Sequence, residues 1–178
     1  MRIKLIFKSV SQIAGIDEIG LLVLIDEQRS RQITVPIDKN MLYQFGLRMQ
    51  LGRQSSDLLP EVLMQLVTTI SEVPMEIFIS DIRAGKYLAQ LCFAEHSIPI
   101  RISDAVLLSY IDERIAIYID EKLFMRQGVP YQENASGMAI PINVLSTEML
   151  EKELEKAVES ENYELASFLR DEINRRNA

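Results

Sequence analysis

Residues 20–25, Gly-Leu-Leu-Val-Leu-Ile, are apolar without interruption and stop at Asp26-Glu27-Gln28-Arg29-Ser30, five polar residues in a row. A short apolar run closed by a polar turn reads as a strand, and it is far too short to span a bilayer even with Ile19 added. Gln32 to Ile37 follows as its antiparallel partner, so the pair forms a hairpin. Pro36 has no N–H to give a ladder, which places it at an edge or near a strand end.

The same reading extends in both directions. Ile3, Leu5 and Phe7 alternate with Lys4 and Lys8, a half-buried strand. Asp38 can cap a helix in which Met41, Leu42, Phe45 and Met49 recur, with Gly52 at its end. Asp57 starts the clearest helix. Leu58, Leu59, Val62, Leu63, Leu66, Val67 and Ile70 form two adjacent apolar rows, and Pro60 lies in the first turn, where a missing N–H does little harm. Glu76–Ser80 and Lys86–Phe93 flank Arg83-Ala84-Gly85 as a second hairpin, and Ile98 to Ile102 adds a strand. Ser103 can cap a helix through Ile111, Ile115–Ile119 is rich in β-formers, and Asp120 caps a short helix through Phe124. Strand pairs mixed with helices at irregular intervals predict an α+β fold with a mixed or antiparallel sheet.

After residue 131 the pattern lapses. Residues 132–147 read as a linker, although Met138 to Val144 could pack back on the domain. Residues 148–178 then repeat a helical stripe, Leu150, Leu154, Ala157 and Val158, followed by Tyr163, Ala166, Leu169 and Ile173. The break at Ser160–Asn162 makes this an antiparallel helical hairpin, too small to be very stable alone. The expected organisation is a domain over 1–131, a linker and a C-terminal hairpin.

Charge narrows the function. The chain carries a formal net charge of −7 over 178 residues. From Glu148 onward there are nine acidic and five basic residues, so both parts are acidic. Neither is a basic module that holds a polyanion by counterion release. Contact with nucleic acid then needs a local cluster or a bound cation. Cys92 stands alone, which fits a reducing compartment, and MRIKLIFKSV lacks the apolar block of a signal peptide. A cytoplasmic protein without a membrane segment is expected.

The tail sequence Leu154-Glu155-Lys156-Ala157-Val158-Glu159, followed by Asn162-Tyr163-Glu164-Leu165-Ala166-Ser167-Phe168-Leu169-Arg170-Asp171-Glu172-Ile173, closely resembles the UVR motif, the hairpin at which the UvrB and UvrC repair proteins meet. The resemblance implies a protein partner bound through Leu154, Tyr163, Ala166, Leu169, Arg170 and Ile173. The domain before it resembles the bifunctional nuclease family, credited with DNase and RNase activity. The resemblance rests on Val35-Pro36-Ile37, on Ile77 through Ala89, and above all on Arg101-Ile102-Ser103-Asp104-Ala105, which matches an Arg-Pro-Ser-Asp-Ala signature. It implies DNA or RNA as substrate and a homodimer or larger oligomer. Two features depart from the family pattern. Pro99 stands where an Asp is usual, and Leu59-Pro60-Glu61-Val62 replaces a Thr-His-Asp-Leu run, so the family histidine is gone and one acidic position survives only as Glu61.

Phosphodiester hydrolysis needs an activated water and stabilisation of phosphate charge, from carboxylate-bound Mg²⁺ or Mn²⁺ or from His and Arg. Arg101, Ser103 and Asp104 are the candidate catalytic group, with Asp104 as metal ligand and no organic cofactor. The guanidinium can fork onto phosphate oxygens, the hydroxyl can donate, and the carboxylate can hold a metal. The plainer reading is local: Ser103 and Asp104 open a helix, and Arg101 pairs with Asp104. Asp81 and Glu61 are possible second carboxylates. Arg48 and Arg53 either add positive charge or form a solvated face, His96 reads as an exposed turn residue, and Cys92 as a small core residue. Two functions follow: a metal-dependent nuclease with a partner-binding hairpin, or a degenerate nuclease fold that serves as a non-catalytic adaptor.

Overall fold

The structure, a computed structural model, describes residues 1–13, 16–51, 57–83, 85–131, 133 and 147–177. The expected linker over 132–147, the helix end at Gly52, and Arg53 lie outside the described residues, apart from Glu133 and Thr147.

The apolar run is a strand, β2 (Ile16–Asp26), and Leu21 to Ile25 are all at most 4% exposed, so both of its faces are covered. It pairs antiparallel with β1 (Arg2–Ile13) on one side and β3 (Arg31–Asp38) on the other, with Leu22 opposite Val10 and Val35. The second hairpin is β4 (Met75–Arg83) with β5 (Lys86–Phe93), turning at Gly85, whose φ of 74° is open to glycine without strain. With β6 (His96–Ile100), β7 (Ala116–Asp120) and β8 (Val129–Pro130) they form one eight-stranded sheet ordered β6-β5-β4-β7-β1-β2-β3-β8. Among the described residues only β4 and β7 run parallel, Glu76–Ile79 against Ala116–Ile119. This is the expected α+β fold. Pro36 sits in the part of β3 beyond the reach of β8, which pairs only with Arg31 and Gln32.

Helices α1 (Lys39–Leu51) and α3 (Ile102–Ile111) pack on one face of the sheet. Phe7 of β1 stacks on Phe45 of α1 at 5.4 Å and meets Tyr110 of α3 edge-on at the same distance. Asp38 caps α1 through the Met41 N–H (2.8 Å), and Asp120 caps α4 (Glu121–Gln127) through the Leu123 N–H (3.1 Å), as their positions predict. Ile102 belongs to α3 and not to a strand.

The turn from β2 to β3 is organised by Asp26, which is buried and accepts from Ser30 N (2.8 Å), Ser30 Oγ (2.5 Å) and Arg31 N (2.8 Å). Burial pushes its carboxyl up, but these donors outweigh that effect and hold it below the usual carboxylate range. A folded-state value below the unfolded one contributes stability that is complete above the unfolded value and fades as pH falls through the folded one. Asp26→Ala is therefore expected to cost about 1–3 kcal/mol at neutral pH. The difference from wild type should shrink below about pH 4. Urea unfolding across pH measures both.

Helix α2 (Leu59–Ile70) departs from expectation. Its N-cap is Leu58, without a side-chain cap bond, and not Asp57. Its apolar rows face outward: Leu59, Val62, Leu63, Leu66, Val67 and Ile70 are exposed and only Met64 is buried. Glu61 lies on the opposite side of the helix and is held inward by Arg48 of α1 (Nε–Oε1 2.6 Å, Nη2–Oε2 2.7 Å). Arg48 is thus buried and paired, neither a solvated residue nor a phosphate contact.

The C-terminal hairpin consists of α5 (Thr147–Glu159) and α6 (Tyr163–Asn177). Leu150, Ala157, Ala166 and Leu169 are buried in a small core of their own, with Leu154 and Ile173 packed against it. Asn162 caps α6 through the Leu165 N–H (3.2 Å). The hairpin reaches the sheet through Arg175, whose Nη1 donates to the Ile82 carbonyl (3.2 Å).

Candidate active site

The chain enters α3 through Arg101, the N-cap residue, whose backbone is extended and whose side chain makes no capping bond. It turns instead onto Asp104, one helical turn on, with Nε to Oδ2 at 2.7 Å and Nη2 to Oδ1 at 3.1 Å. Residues three apart share a helix face, so this forked pair follows from local geometry. The third guanidinium nitrogen crosses to another element: Nη1 donates to Asp38 Oδ2 at 3.1 Å. Since Asp38 also caps α1, one arginine joins the N-termini of α1 and α3.

This corner is open to solvent. The side chains of Arg101, Asp38 and Asp104 are 56%, 55% and 42% exposed. The hydrogen bond to Asp104 is the main influence holding the guanidinium above its ordinary value; burial opposes it, and the charges of Asp104 and Asp38 add to the rise. One positive and two negative charges leave the corner at a formal −1, softened by the positive ends of two helices. Of the five N–H bonds of a guanidinium, three are directed at the carboxylates; the remainder are available to a ligand.

Ser103 does not join this group. It is buried, at 4% exposure, on a different side of the helix from Arg101 and Asp104. It is not the N-cap either. Asp38 takes the place in the corner that sequence reasoning gave to Ser103. Its signal was its position directly after Val35-Pro36-Ile37, where it reads only as a helix cap.

The other candidates lie elsewhere. Glu61 is occupied by Arg48, whose Nη1 also donates to the Gln44 carbonyl (3.0 Å) and to Gln44 Oε1 (2.8 Å). Asp81 lies within β4, not in a turn, near Arg126 (3.6 Å) and Arg83 (3.9 Å). His96 is exposed at the start of β6 with its ring 5.8 Å from that of Phe93, and Cys92 is half-buried on β5. Among the described residues no group of three or more His, Cys, Asp or Glu could hold a metal ion. A pair of carboxylates still suits Mg²⁺, which commonly takes one or two from the protein and completes its shell with water and phosphate.

An open cleft of about 1080 Å³ lies between β1 and the C-terminal end of α3, with Arg48, Glu61, Asp112 and Arg114 among its walls. It does not include the Arg101 corner. Two ion pairs lie in its walls, Arg114 Nη2 on Asp112 Oδ2 at 2.7 Å and Arg48 on Glu61, while Lys4 pairs outside it with Glu27 (2.9 Å). The corner differs from the cleft in joining one guanidinium to two carboxylates from separate elements, Asp104 of α3 and Asp38 before α1.

The partner-binding set divides. Leu154, Ala166, Leu169 and Ile173 are used inside the hairpin, because two short helices must first bury their stripe against each other. Tyr163 and Arg170 face solvent. Leu165 and Phe168 are exposed as well, and so is Val158, which the stripe of α5 led one to expect inside. Among the described residues no helix is long and apolar enough to cross a membrane.

Comparison with known families gives two matches. The family model of the bifunctional nuclease domain matches residues 22–132, and that of the UvrB/uvrC motif matches residues 146–176. No curated protein matches the chain.

Proposed function

The chain belongs to the bifunctional nuclease domain family, and from that premise we propose that it is a metal-dependent nuclease cutting phosphodiester bonds of DNA or RNA at the Arg101 corner. The observation that carries this reading is the solvent-open guanidinium of Arg101 forked onto Asp104 and shared with Asp38. The residual N–H bonds of Arg101 hold non-bridging phosphate oxygens, and the planar fork orients the phosphate as a lysine would not. Asp38 and Asp104 would supply hard oxygen donors for Mg²⁺ or Mn²⁺. Such an ion, when bound, offsets the negative charge of corner and phosphate and lowers the pKa of a water. The helix N-termini favour the anion further. A chain of net charge −7 otherwise repels its substrate, which makes the cation requirement strict.

The UVR-type hairpin docks a protein partner through its exposed face, around Tyr163, Phe168 and Arg170. The second reading is a non-catalytic adaptor, supported by Leu59-Pro60-Glu61-Val62, which lacks the family histidine and commits its glutamate to Arg48. One experiment separates the two. Purified protein is incubated with single- and double-stranded DNA and RNA, with Mg²⁺ or Mn²⁺ and then with EDTA. The nuclease reading expects cleavage only with the cation present. Intact substrate under every divalent metal leaves the adaptor.

A further inference from the structure

Of the six helices among the described residues, α1 alone carries none of the chain's 26 acidic residues. On a chain of net charge −7 it offers a polyanion a face without like-charge repulsion. That face starts at the Arg101 corner, because Asp38 caps the helix. Lys39, Tyr43, Gly46 and Gln50 then follow one another at helical spacing, so they form a single stripe.

Two members of the stripe are not there for packing. The chain has six tyrosines and six phenylalanines, and outside the C-terminal hairpin only Tyr43 is exposed, at 62%. A side chain added at Gly46 would meet nothing within 4 Å. Glycine weakens a helix interior relative to alanine, so lack of room does not explain it, and a bare position instead lets a ligand approach the backbone. Helix rise sets Tyr43 about 7.5 Å along the axis from Asp38. Helical side chains lean toward the N-terminus, over the preceding turn, which directs the phenol ring toward the corner. A phosphate held by Arg101 would then have its own base, or the next one, within reach of that ring.

We propose, resting on the nuclease reading above, that this stripe is the track for a single strand of DNA or RNA and that Tyr43 stacks on the base beside the scissile phosphate. A base inside a duplex has both faces covered by its neighbours, so Tyr43 accepts only an unpaired one. Unpaired strands and loops are therefore the substrate class. Every base has a π-face, so the sequence of the strand matters little. Gly46 leaves the following sugar and phosphate room against the helix.

The chain has no tryptophan, so Tyr43→Trp places a single reporter on the stripe. The full-length variant is titrated with a short oligothymidylate in Ca²⁺, followed by its fluorescence and by the anisotropy of a label on the strand. Binding should quench the indole, whereas an abasic strand of the same length or a duplex should leave it bright. Tyr163→Trp, on the hairpin, should stay bright with every ligand. Tyr43→Ala should weaken strand binding roughly 5- to 100-fold, the loss of one base–aromatic stack, with Tyr43→Phe close to wild type. Gly46→Leu should melt at a higher temperature, since leucine favours a helix over glycine, yet bind the strand less tightly. A purely structural role would not produce that combination. Strand binding without quenching at position 43 and without loss in Tyr43→Ala would overturn the track and leave the nuclease reading standing. Quenching by a duplex as strong as by the single strand would overturn it too. Absence of strand binding, together with absence of cleavage in Mg²⁺ or Mn²⁺, would remove both.

Discussion

Glu61→Ala is expected to lower the free energy of unfolding by about 3–5 kcal/mol. Arg48 is 2% exposed and its Nε and Nη2 both rest on the Glu61 carboxylate. Removing that carboxylate leaves a buried guanidinium with only the Gln44 oxygens as partners, and a guanidinium cannot shed its proton to relieve the cost. Replacing both partners, Arg48→Met with Glu61→Leu, should recover most of the loss, because a buried pair often does no better than apolar residues of similar volume. The two experiments therefore separate the cost of breaking the pair from its net worth. Urea denaturation followed by circular dichroism measures both, and a loss under about 1 kcal/mol for Glu61→Ala would mean the pair is not formed in solution.

Arg101→Ala is expected to reduce cleavage by roughly 100- to 1000-fold, the usual cost of removing a charge-stabilising donor at a reacting phosphate. Stability should hardly change, since the side chain is 56% exposed and surface ion pairs contribute little. Arg101→Lys should recover only part of the rate, because an ammonium cannot fork onto Asp104 and also reach Asp38. Comparison of kcat/KM with thermal melting for the three proteins decides the matter. A proportionate fall in melting temperature would assign Arg101 a structural role instead.

What could be read from the chain follows how local each determinant is. The hairpins around Arg29 and Gly85 rest on neighbouring residues, so alternation and turn chemistry suffice to place them. The caps at Asp38 and Asp120 are equally local. The orientation of α2 is not, because two rows of leucine and valine read as an inner face, whereas the inward side carries Met64 and Glu61, the latter bound to Arg48 thirteen residues earlier. Asp38 illustrates the same limit more sharply. Its partner Arg101 comes 63 residues later, so the carboxylate looks like a cap until the fold joins α1 to α3. Ser103 shows the reverse. It lies between Arg101 and Asp104 in sequence, but adjacent helical positions point to different sides, and Ser103 is buried. In the tail the residue types of the UVR resemblance did not say which of them a two-helix hairpin keeps for itself.

The proposed nuclease site includes Asp38 and leaves out Ser103. The direct measurement is the metal-dependent cleavage rate of Asp38→Asn beside that of Ser103→Ala, each with its melting curve. Asparagine preserves the cap on Met41 while removing the charge, so the first variant should fold normally and lose roughly 100-fold or more in rate, and the second should cleave within a few-fold of wild type. A fast Asp38→Asn and an inactive, folded Ser103→Ala would contradict it.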